Sequence, residues 1–81
     1  MTNTPLSITE GQHEIRVIVA SAEEASFGVA EFWSGSRLIG ITCFEDGELI
    51  LRIEPSHENV VIGARALTKA LSEADRLLSL Y

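Results

Sequence analysis

One cysteine, Cys43, is all the chain has in 81 residues. A lone thiol cannot close an intramolecular disulfide, and that usage suits a reducing compartment, so the expected location is cytoplasmic. Cys43 lies inside an apolar run and reads as a small core residue, because catalytic thiols sit exposed beside a base. Histidine is nearly as scarce: with only His13 and His57 beside that cysteine, the chain holds too few Cys and His side chains for the four-ligand set of a structural metal site. Basic residues are few and scattered, at Arg16, Arg37, Arg52, Arg65, Lys69 and Arg76, against 12 Asp and Glu, leaving a formal net charge of −6. A field of that sign repels phosphate backbones and anionic lipid, which argues against nucleic-acid and membrane partners. No run approaches the roughly 18 apolar residues of a membrane span. Met1 to Gln12 also lack the basic start and continuous apolar stretch of a secretory leader. Gly35, Gly40 and Gly47 are separated by strand residues and precede no helix, so no phosphate-cradling loop is present.

What the chain does have is apolar content, 46% of residues, too much for a disordered polymer. At this length one domain is expected, of a size that buries only about 60% of the surface its unfolded chain exposes. Residues 1–12, rich in Thr, Ser and Asn, carry no sustained period and read as a flexible N-terminal tail; residues 13–81 form the domain. From His13 onward Ile15, Val17 and Val19 alternate with Glu14, Arg16 and Ile18, a β-branched strand pattern. Ser21 to Ser26 reads as a polar loop. Phe27 to Trp33 is a second strand, Ser34-Gly35 a hairpin turn, Arg37 to Phe44 a third strand and Glu48 to Ile53 a fourth, ended by Pro55. Ser56 or Asn59 can cap a helix running to about Leu80. Val60, Ala64, Leu67, Leu71, Ala74, Leu78 and Tyr81 form one stripe along it, with Lys69 and Glu73 spaced to pair. The fold class is therefore α+β: a four-stranded antiparallel meander followed by one long amphipathic helix packed on one sheet face.

Register decides which side chains that helix covers. The Ser34-Gly35 turn pairs Trp33 with Ser36 and Ala30 with Ile39, placing Ala30, Ile39 and Ile41 together. At the next turn a three-residue loop, with Gly47 left-handed and a bulge, is favoured over a two-residue Asp46-Gly47 turn. It gathers Ile15, Val17, Val19, Ile39, Ile41, Cys43, Leu49, Leu51 and Ile53 into one aliphatic face for the helix. The opposite face then carries Ile18, Ala20, Phe27, Val29, Trp33, Leu38, Phe44 and Ile50 among Arg16, Glu31, Arg52 and Glu54. Antiparallel sheets usually leave such a face polar. One helix cannot shield two apolar faces, so Ile18, Phe27, Val29, Trp33, Leu38, Phe44 and Ile50 are the candidate interface. A second copy of the chain is its simplest cover.

No catalytic apparatus stands out. Glu23-Glu24 and Glu45, Asp46 and Glu48 fall in turns, where charge keeps a hairpin soluble; Ser34 and Ser36 flank Gly35 without a positioned histidine. No cofactor is expected, and the chain does not read as an enzyme. Two strings, Trp33 followed after four residues by Leu38-Ile39-Gly40-Ile41, and Ala64-Arg65-Ala66-Leu67 opening the helix, resemble small actinobacterial dormancy-associated proteins. Their sheet-plus-helix dimers are likened to ribosome hibernation factors. The resemblance implies a dimer of this fold and an association with ribosomes, although hibernation-type binders use basic surface and this chain is acidic. No functional residue is carried over. The expected function is a non-enzymatic protein-interaction or regulatory module, a homodimer using its second sheet face. The alternatives are a small-molecule or minor enzymatic domain, with a subunit-interface pocket built on Arg16, Glu31, Arg52 and Glu54, and a ribosome-associated stress protein.

Overall fold

A computed structural model of the chain describes residues 14–55 and 60–81. The N-terminal segment assigned above to a tail, His13, His57 and the proposed caps Ser56 and Asn59 lie outside the described residues. Strand β1 (Arg16–Ile18) is followed by a one-turn helix α1 (Ala22–Ser26), then β2 (Glu31–Ser34), β3 (Arg37–Glu45), β4 (Glu48–Ile53) and the long helix α2 (Ala64–Leu78). The strands form one antiparallel sheet in sequence order, β1-β2-β3-β4, the expected α+β meander with its C-terminal helix.

The stretch read as a loop from Ser21 to Ser26 is instead α1. Ser21 stays extended and its hydroxyl accepts from the Glu24 amide at 3.1 Å. Glu23 and Glu24 occupy the first turn, where backbone amides favour negative charge. At its exit the Phe27 carbonyl accepts from the Phe44 amide at 3.0 Å. Thr42 fixes this corner from below. Only 1% exposed, its Oγ1 donates to the Gly28 carbonyl at 2.6 Å and accepts from the Ala30 amide at 2.9 Å. A buried hydroxyl thus satisfies two backbone groups where the chain turns from α1 into β2.

Both hairpins differ from expectation by one residue, and the differences compound. The first turn is Gly35-Ser36, with Ser34 opposite Arg37 and Trp33 opposite Leu38. The register then slips at a bulge: Phe32 faces Gly40, leaving Ile39 as an extra residue on β3. Glycine is required there, since a Cβ on Gly40 would lie 2.5 Å from the Arg52 carbonyl oxygen on β4. The second turn is the two-residue Asp46-Gly47, with φ of 53° and 80° and Glu45 opposite Glu48. That is the left-handed pair a type I′ hairpin needs. The bulge sits within β3 rather than in the loop, and it reverses the side-chain phase of everything after Ile39.

As a result, Gly40, Thr42 and Phe44 stand opposite Ile53, Leu51 and Leu49 on the inner face. Ile41 and Cys43, expected there, join Arg52 and Ile50 on the other. The core is Ala30, Phe32, Ile39, Ala70 and Ala74, rimmed by Ile15, Val17, Val19, Leu51, Ile62 and Leu67. Phe32, fully buried, is its largest member. Small alanines on α2 let the helix approach closely, and it packs along β1.

The helix begins at Ala64 rather than at or before Val60, with Gly63 as an N-cap that offers no side-chain hydrogen bond. Its buried stripe runs through Ala70 and Ala74 rather than Ala64 and Leu71; Leu71, Val60 and Tyr81 are exposed. Glu73 pairs with Arg76, at 2.7 and 3.0 Å, instead of bonding Lys69. Because α2 lies over the β1 side, the β4 end of the inner face stays open: Phe44 is 51% and Ile53 49% exposed.

Candidate functional site

The second face is built by alternation. Pairing of Arg16 with Trp33 and Ile18 with Glu31 on β1 and β2, of Trp33 with Leu38 and Glu31 with Ile41 on β2 and β3, and of Cys43 with Ile50 and Ile41 with Arg52 on β3 and β4 puts these side chains on one surface. Its apolar members are Ile18, Trp33, Leu38, Ile41, Cys43 and Ile50, all half-buried by their sheet neighbours. Since α2 is spent on the inner face, the remaining exposure of this set is not relieved by the long helix.

Of the candidate interface residues, Ile18, Trp33, Leu38 and Ile50 share this face. Phe44 does not: the bulge turns it inward, where its ring lies against Gly28. Phe27 is exposed at the α1 exit and Val29 is half-buried ahead of β2. Ile41 and Cys43 belong to the surface although sequence reasoning assigned them to the core. The signal that could have found them is Gly40, an isolated glycine inside a strand pattern, which marks a bulge or a close backbone approach.

Polar groups frame the apolar surface. The Trp33 indole N–H donates to Glu31 Oε1 at 3.0 Å, so an aromatic plate carries its own polar edge. Arg52 stretches along the face past Cys43 to donate to the Glu45 carboxylate. That hydrogen bond, together with Glu45's charge and a lesser contribution from Cys43, raises the guanidinium pKa above its ordinary value. Glu45 and Glu48 stand directly opposite; Arg52 neutralises the first, and among the described residues Glu48 has no ion pair.

The four polar groups considered for a small-molecule pocket do not converge. Arg16, Arg52 and Glu54 are exposed, and Glu31 and Arg52 are engaged with Trp33 and Glu45. Among the described residues no group of three or more His, Cys, Asp or Glu side chains is arranged to hold a metal ion, and no helix is long and apolar enough to cross a membrane. What the surface offers is an apolar plate with mixed charge at its margins, a composition associated with protein contacts. No protein-family model matches this chain, and comparisons with curated proteins and with solved structures return no match.

Proposed function

We propose that this protein is a non-enzymatic, cytoplasmic protein-interaction module that forms a homodimer through its second sheet face. The observation that carries this reading is that Trp33, Leu38, Ile41 and Ile50 share a surface opposite the one α2 occupies. Fully burying a large apolar side chain is worth roughly 1.5–3 kcal/mol. Covering what remains exposed of this group therefore adds several kcal/mol, comparable to the about 5–15 kcal/mol net stability of a whole domain. A second copy is the simplest cover because the face carries both signs of charge, Arg16 and Arg52 against Glu31, Glu45 and Glu48. Turned about a two-fold axis, such a face can meet itself without like-charge conflict.

The test is the effect of Trp33→Ser combined with Ile41→Ser on mass in solution. Both side chains are half-buried on the second face and outside the inner core, so the fold, followed by circular dichroism, is retained while the mass falls. An unchanged mass in the folded variant removes the second face from the assembly.

A further inference from the structure

The structure carries a second, separate contact. We propose that β4 pairs edge to edge with β4 of another copy, antiparallel about a two-fold axis at Ile50, so that two sheets continue into one. This contact does not use the stacking of second faces.

Strand β4 ends the sheet, and among the described residues no strand lies on its outer side. Its hydrogen-bonding phase follows from its neighbours. The Glu54 amide donates to the Ile39 carbonyl at 2.7 Å, while the Thr42 and Phe44 amides point to Ala30 and Phe27 across β3. With Thr42 opposite Leu51 and Phe44 opposite Leu49, these are the non-bonded pairs of the β3–β4 ladder. The N–H and C=O groups of Leu49, Leu51 and Ile53 therefore point outward along the free edge. Natural edges are usually blunted by Lys, Pro, a bulge or an inward charge. From Glu48 to Ile53 the strand has no Lys or Pro, and its pairing with β3 is regular.

Its side-chain order chooses the occupant. Glu48, Ile50 and Arg52 share one face. Antiparallel pairing centred on Ile50 sets Glu48 against Arg52 of the partner subunit, Ile50 against Ile50 of the partner subunit and Arg52 against Glu48 of the partner subunit. In this register the strand is complementary in charge to itself, and both Glu48 and Arg52 find an opposite charge within the strand; moving the axis to Leu51 brings Glu48 against Glu54 of the partner subunit instead. In the same register Leu49 and Leu51 exchange backbone hydrogen bonds with their counterparts and meet them on the inner face, beside the exposed Phe44 and Ile53. Glu48, opposed within the chain only by Glu45, gains a cation. Arg52 exchanges an exposed pair, which contributes little alone, for one at an interface.

The test is cross-linking of the full chain. Non-bonded antiparallel partners have Cα atoms about 4.5 Å apart, within the range a disulfide spans. Cys43, which faces Ile50 within the chain, is first changed to Ser. With Trp33→Ser also present to weaken stacking, Ile50→Cys should oxidise to a covalent dimer. Arg52→Cys, displaced from its own copy by four residues at about 3.3 Å each, should not. Glu48→Arg alone or Arg52→Glu alone should slow the Ile50→Cys cross-link at least tenfold, and the two together should restore it. Absence of the Ile50→Cys cross-link, equal cross-linking through Arg52→Cys, or failure of the double exchange to restore the rate would overturn the proposal. If Trp33→Ser with Ile41→Ser lowers the mass while no edge cross-link forms, only the edge contact fails; the reverse result removes only the face contact.

Discussion

The Thr42 hydroxyl is the structure's most concentrated polar dependence, and its removal has a calculable cost. Thr42→Val keeps shape and volume nearly constant while deleting Oγ1. Two groups then lose their partner: the Ala30 amide, bonded at 2.9 Å, and the Gly28 carbonyl, bonded at 2.6 Å. Ala30 and Gly28 are buried, so water cannot readily substitute. Leaving a buried donor or acceptor unsatisfied costs about 1–3 kcal/mol each; some relaxation at the corner brings the expected total to about 2–4 kcal/mol. Against a net stability of about 5–15 kcal/mol for a domain, that is a large fraction. Urea unfolding followed through Trp33 fluorescence, at fixed protein concentration, reads it directly. With a slope of about 1 kcal/mol per molar urea for a small domain, the midpoint should fall by about 2 M or more at unchanged slope. Thr42→Ser retains the hydroxyl and loses only a methyl group, so it should cost about 1 kcal/mol. A Thr42→Val variant as stable as the parent, or more stable than Thr42→Ser, would refute the assignment of the hydroxyl as the pin between α1 and β3.

Two further perturbations probe the sheet and the helix. Gly40→Ala places a Cβ against the Arg52 carbonyl at 2.5 Å, which β4 can relieve only by moving away. A loss of about 1–3 kcal/mol is expected by thermal unfolding, with amide protection falling first in β4. On α2, Arg76 holds the Glu73 carboxyl below its ordinary value of 4.5 through their hydrogen bonds. Because the folded value is the lower one, the pair's contribution is fully present above 4.5 and is lost as pH falls through the lowered value. Arg76→Gln should flatten that part of the pH dependence of helix ellipticity, and an identical profile in the variant would show that the pair does not couple to the helix.

The elements that were legible in the sequence are those whose signals are local. The turn before Glu48 and Pro55 after Ile53 gave β4 its bounds without correction, and the apolar spacing from Val60 onward announced the helix, because each signal is read within or beside one element. Faces were harder, since they depend on counting residues through every turn, and a single insertion inverts all that follows. The Asp46-Gly47 pair is a strong type I′ signal. Gathering the aliphatic residues on one face favours a three-residue loop there instead, but the bulge lies at Ile39-Gly40 and the turn keeps two residues. Phe32 is not legible as the core aromatic, because only tertiary packing, with Ala70 and Ala74 in the same cluster, distinguishes it from its aromatic neighbours Phe27 and Trp33. The second face has a different membership from the one expected: Phe44 turns inward, Phe27 and Val29 lie ahead of β2, Ile41 and Cys43 enter, and Ile18, Trp33, Leu38 and Ile50 remain.

The surplus apolar surface is the reason for assigning this chain a partner, and its most direct test is the mass of the unmodified protein in solution. Sedimentation equilibrium across a wide concentration range should give at least twice the 8.8 kDa of a single chain, with the indole of Trp33 shielded from a soluble quencher. A mass of one chain at the highest concentration, with Trp33 freely quenched, would contradict the account.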